Sequence, residues 1–171
     1  MIKSKMGMKD QMSVQIGKGF MDNQIMKGNF VAELFDKDGI LKGKREVHNT
    51  VTTLGHQMAA DQILAAPAIV TPGWMELGAV IGMGQGAGDS KLGAYISGSR
   101  TALDSKTRGA NAIITMVCTF PATTGTGAIT EAGIFNVVTE DTTDMIMYAS
   151  FAVINKGADD SLVITWTLTF A

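Results

Sequence analysis

Apolar and polar residues alternate most regularly near the end of the chain. Leu162, Ile164, Trp166, Leu168 and Phe170 share one face there, opposite Val163, Thr165, Thr167 and Thr169. A period of two belongs to a strand with one buried face, and side chains this large predict a central core strand. The pattern returns in residues 112–120, with Ile114, Met116, Cys118 and Phe120 against Ile113, Thr115, Val117 and Thr119, until Pro121 and the glycines that follow break it. Weaker apolar runs predict strands over residues 73–81, 128–138 and 145–153, the last leading to a turn at 155–160. Residues 29–35 and 40–49 flank Asp36-Lys-Asp-Gly39, the turn chemistry of a β-hairpin.

One segment has the helical period instead. Leu54, Met58, Ala59, Ile63 and Leu64 predict a helix of about three turns, capped by Thr52 or Thr53, ended by Pro67 and covering an open end or edge of the sheet. Residues 82–89 are glycine-rich. Residues 90–109 are polar and small, which predicts a long loop holding at most a short helix; loops of that size are usually functional or ordered by a partner. The fold class expected is mainly β: an antiparallel, jelly-roll-like β-sandwich over residues 27–171, with one short α-helix. Residues 1–26 show no sustained periodicity and are expected to form an extended N-terminal arm. Its Met1, Met6, Met8, Met12, Phe20, Met21 and Met26 are candidate interface residues, because flexible thioethers fill irregular grooves on a neighbouring subunit.

Composition sharpens this reading. Only 18% of the 171 residues are charged while 46% are hydrophobic, and the net charge is −2. Broad electrostatic attraction to nucleic acid or an anionic membrane is therefore not expected, and no apolar run has the length of a membrane span. Low charge fits a threonine-covered sheet face, and it also fits a surface buried by other subunits.

Candidate chemistry is sparse. His48 and His56 flank the strand-to-helix junction without a third histidine or a cysteine cluster to complete a zinc site. The single cysteine, Cys118, sits in an apolar alternating run and is expected to be buried and inert. Asp36-x-Asp38-Gly39 resembles part of a calcium loop, but Leu41 and Val47 stand where an EF-hand needs glycine and glutamate. Gly82-x-Gly84-x-x-Ala87 formally matches the relaxed dinucleotide fingerprint without its strand–helix context. Ser97-Gly-Ser-Arg100 carries no nucleophile motif. Asp159-Asp160 in a turn and Glu140-Asp141 in a loop before a strand are expected to be solvated, and Glu131, bordering an apolar strand, to be a loop-anchoring acceptor of backbone N–H groups. No catalytic, cofactor-binding or metal-binding residue is assigned, and no cofactor is expected.

Three stretches carry a likeness. Val47-His-Asn-Thr-Val-Thr-Thr-Leu-Gly-His56 leads into the helix, Ala128-Ile-Thr-Glu-Ala-Gly-Ile-Phe135 lies mid-chain, and Phe151-Ala-Val-Ile-Asn-Lys-Gly-Ala-Asp-Asp-Ser-Leu-Val-Ile-Thr-Trp-Thr-Leu-Thr-Phe170 closes the sandwich; Trp74-Met-Glu-Leu-Gly78 fits as well. Together they resemble structural proteins of tailed bacteriophages, of the head-decoration or cement and tail or tail-fibre type. The resemblance covers most of residues 30–171 and excludes the arm. It implies a non-enzymatic virion protein assembled in the host cytoplasm. A capsid decoration or cement protein is expected first, a tail, collar or fibre-attachment protein second, and a host-carbohydrate-binding module third. Expected partners are further copies of the chain, in a homo-oligomer of threefold or higher closed symmetry, and virion proteins such as the major capsid protein, with no nucleic acid and no membrane.

Overall fold

The computed structural model describes residues 26–79 and 86–170. They are mainly β, with 51% strand and 6% helix. The elements run β1 (Met26–Phe35), β2 (Leu41–His48), β3 (Thr50–Val51), α1 (Thr53–Asp61), β4 (Trp74–Gly78), β5 (Thr101–Ala102), β6 (Ser105–Arg108), β7 (Ile113–Phe120), β8 (Gly127–Phe135), β9 (Met145–Lys156) and β10 (Ser161–Phe170). They build two antiparallel five-stranded sheets. Sheet A has the order β2-β1-β10-β7-β6 and sheet B the order β3-β9-β8-β4-β5.

The final strand takes the central place its pattern predicts. β10 lies between β1 and β7, and its register aligns inward-facing rows such as Phe30–Trp166–Met116 and Ala32–Ile164–Cys118. These rows pack on Met75, Leu77, Ile134, Met147 and Phe151 from sheet B, so the core lies between the layers. Phe30 joins the two sheets. Its ring stacks on Phe151 at 4.9 Å and meets Trp166 edge-on at 5.0 Å, geometries that add about 0.5–1.5 kcal/mol each beyond the area buried.

The hairpin forms where expected. Asp36 Oδ1 accepts from the Asp38 and Ile40 N–H groups, and Gly39 takes a φ of 78°, so these aspartates shape a turn. Met26, read with the arm, is instead the first residue of β1, and its side chain is buried in the core opposite Phe170. It is thus already spent on the sandwich's own packing and is withdrawn from the interface candidates. Met1, Met6, Met8, Met12, Phe20 and Met21 lie outside the described residues.

The helix is shorter than its periodicity suggests. Thr52 caps it as expected, accepting from the Gly55 N–H. It stops at Asp61, whose Oδ2 accepts from the Ile69 N–H at 2.7 Å, while Gln62 Nε2 donates to the Ile69 carbonyl at 3.0 Å. These local bonds turn the chain back before Pro67, a case of side chain–backbone bonding displacing a helical continuation. Ile63 and Leu64, expected on the apolar helix face, therefore fall beyond the helix. Residues 90–109 hold no helix; they contribute the short strands β5 and β6, one to each sheet.

Candidate interaction surface

Residues 86–104 form a strap over the outer face of sheet B. Its backbone follows the edge of β4, with Ala79 N–H donating to the Ala94 carbonyl at 2.8 Å and Ile96 N–H to the Leu77 carbonyl at 2.8 Å. Ser99 is fully buried, and its Oγ accepts from the Leu77 N–H, standing in for a strand partner. The other end of the strap reaches β9 and α1. Met145 N–H donates to the Ser90 carbonyl, and Thr53 N–H to the Ala87 carbonyl. Leu92 completes a second small core with Trp74, Phe135, Met145 and Tyr148.

Beneath the strap lies a buried charge cluster. Arg100 Nη2 meets Glu76 Oε2 at 3.2 Å with both side chains almost wholly buried, and Nη1 approaches Asp144 at 3.6 Å. Nη1 also donates to the Val137 carbonyl, and the guanidinium carbon lies 3.6 Å from the centre of the Phe135 ring. Glu140, expected as solvated dressing, accepts from the Arg100 N–H at 3.1 Å. Burial lifts the Glu76 carboxyl above its ordinary range, outweighing the Arg100 guanidinium, which draws it down. Glu131 is buried and its Oε1 accepts from the Ala94 N–H, the anchoring role its position predicts. Burial, with Glu131 close by, raises the Tyr148 phenol. Glu76, Glu140 and Glu131 each hold a strap residue, the first two at Arg100 and the third at Ala94.

The remaining candidates settle as structure. Cys118 is buried, and desolvation, with Asp104 nearby, pushes its thiol up to about 12, which leaves no thiolate at neutral pH. His48 and His56 are exposed, on β2 and α1 respectively. Gly82 and Gly84 of the relaxed fingerprint lie outside the described residues. Asp160 differs from expectation: instead of being solvated it is buried, paired with Lys42 at 2.7 Å, and accepts from the Gly157 N–H in the β9–β10 turn. The turn backbone supplies a donor that water would otherwise provide. Among the described residues no group of three or more histidine, cysteine, aspartate or glutamate side chains is placed to hold a metal ion, and no helix is long and apolar enough to cross a membrane.

What stands open is apolar. A groove of about 430 Å³ opens between the sheets beside α1, floored by Met58, Met116, Met147, Leu168 and Phe170. Lys106 crosses one side of its mouth, donating to Thr71 Oγ1 and the Pro72 carbonyl. Next to it runs the uncharged loop 63–70, with Ile63 86%, Leu64 59% and Val70 64% exposed. Large aliphatic side chains contiguous with an apolar groove mark an interaction surface.

No family model, curated protein or solved structure matches this chain.

The assignment of this surface therefore rests on its geometry. Sequence reasoning missed it because Ile63 and Leu64 fit the helical period and were assigned to a buried face. The signal available was the adjoining run Ala65-Ala-Pro-Ala-Ile-Val70, apolar beyond any helix that Pro67 permits. The Glu76–Arg100 pair was missed as well; its one visible trace is a lone glutamate inside the apolar strand Trp74-Met-Glu-Leu-Gly78.

Proposed function

We propose that this chain is a non-enzymatic structural subunit of a tailed-phage virion, acting there as a capsid decoration or cement protein. The observation that carries the reading is the exposed loop 63–70 beside the open groove. A free monomer gains nothing by holding those side chains in water, whereas a neighbour that covers them gains roughly 25 cal/mol for each Å² of apolar surface buried. The low charge of the chain and the threonine-lined outer face of sheet A support the same reading, since both suit close packing against other protein. A small contact repeated over a shell stabilises it through avidity. The buried charged groups then serve to hold the strap, not to react.

Quantitative mass spectrometry of purified particles, scaled to the main shell protein and paired with electron cryo-microscopy, tests the proposal. Hundreds of copies on the outer shell are expected. A copy number near six or twelve would move the subunit to the tail or collar, where the same surfaces serve attachment, and absence from particles would overturn the virion reading.

A further inference from the structure

The groove and the loop 63–70 lie on one face, and so does an unpaired strand edge. β6 ends sheet A, pairs only with β7 among the described residues, and all four of its residues are exposed. Lys106, Thr107 and Arg108 of this strand form one wall of the groove. An open backbone edge beside an apolar trough has the geometry of β-augmentation, in which an extended segment adds main-chain bonds to the edge and seats alternate side chains in the trough.

The chain contains a segment of matching pattern. In Met12-Ser-Val-Gln-Ile16 the apolar residues alternate and none is charged. Residues 17–25, about nine in number, join it to Met26 and can span up to ~30 Å. From Met26 to the edge of β6 in the same chain is three strand spacings across the order β1-β10-β7-β6, or ~14 Å, which about four residues would cover. The connection thus has length to spare and also reaches the adjoining face of a neighbouring copy. A segment docking within its own chain would fill the groove and leave Ile63, Leu64 and Val70 bare. A second copy covers both.

We propose that this face receives a second copy of the chain, whose residues 12–16 add a strand to the open edge of β6 and place Met12, Val14 and Ile16 in the groove. The proposal rests on the assembly reading above and names its receiving site. Repeated from copy to copy, the contact is head-to-tail and closes a ring when its rotation permits.

Hydrogen exchange on the full chain, at low and high protein concentration and with sizing of the same samples, tests it. In the wild type those amides of Ser105–Arg108 that point away from β7 are expected to exchange about tenfold or more slowly at high concentration, and to lose that protection on dilution and in Val14→Asp. Protection of β10 should be unchanged by Val14→Asp, which shows that the sandwich stays folded. An oligomer in which β6 exchanges as fast as in Val14→Asp overturns this docking site while leaving assembly intact. Protection that persists on dilution, in a monomer, places the segment in its own chain and also overturns the proposal. A chain that stays monomeric at every concentration with β6 unprotected overturns both the site and the assembly reading.

Discussion

Across β10 and β7 the outer face of sheet A is mostly threonine and valine, in rows such as Val31–Thr165–Val117 and Asn29–Thr167–Thr115, and toward β2 it carries the charged Glu33, Lys44 and Glu46. The outer face of sheet B lies under the strap and holds the Glu76–Arg100 pair, Phe135 and Tyr148. Both sheets present their inner faces to one core, so the difference comes from what covers the other side. A sheet that faces its surroundings on one side keeps strict alternation, while a sheet covered on both sides reads as nearly continuous apolar sequence. β10 and β8 show the two outcomes. The first is buried at every second residue from Leu162 to Leu168, the second at each residue from Glu131 to Phe135.

Substitutions that probe this contrast should differ in size. The largest effect is expected at the shared core: Trp166→Ala removes the ring that meets Phe30, costs about 3–5 kcal/mol, and should abolish or strongly weaken a cooperative urea transition. Next comes the strap. Arg100→Met leaves Glu76 buried without its cation, a change that typically costs about 3–5 kcal/mol, felt mainly as rapid hydrogen exchange in residues 86–104 while β10 keeps its protection. Adding Glu76→Leu should restore much of the loss; an unchanged exchange pattern in the single variant would mean that the pair does not hold the strap.

A smaller loss is expected at Gly78, where an added Cβ would come within 2.4 Å of the Glu131 carboxylate. Gly78→Ala should cost about 1–3 kcal/mol, the usual range for overpacking, again centred on sheet B. On the outer face of sheet A, Thr167→Val should shift the urea midpoint little, within about 0.5 kcal/mol. If Thr167→Val matched Gly78→Ala in effect, the claimed difference between the two outer faces would be wrong.

Acid titration separates two further sites by sign. Burial holds the Glu76 carboxyl above its ordinary value of 4.5, so its contribution to stability is complete below that value and is lost as pH rises through the elevated folded-state pKa. Asp160 runs the other way. Lys42 and the Gly157 N–H hold its carboxyl below its ordinary value of 3.8, so its contribution is present above that value and is lost as pH falls through the lowered one. Glu76→Gln should therefore flatten the stability profile on the rising side, and Asp160→Asn on the acid side, when unfolding is followed against pH.

The same contrast explains what could be read from the chain. β10 and β7 were legible because sheet A leaves one face uncovered, so alternation survived. The hairpin around Gly39 and the Thr52 cap were legible because their chemistry is local. The strap was not, because its bonds join residues far apart: Ser99 serves Leu77, Arg100 serves Glu76 and Asp144, and Glu131 serves Ala94. No short-range period records such pairings. The helix end was misplaced for a related reason, since the bonds from Asp61 and Gln62 to Ile69 override a period that runs through Leu64. The interaction surface stayed hidden with it: the feature that exposes Ile63 and Leu64 is the early stop of α1.

Sedimentation of the purified full chain over a wide concentration range tests whether copies assemble through the loop 63–70. Reversible growth to one closed oligomer is expected, reduced to monomer when Ile63 and Leu64 are both replaced by aspartate with the urea transition preserved. A wild-type chain that remains monomeric throughout, with its apolar loop in water, would contradict the assembly role.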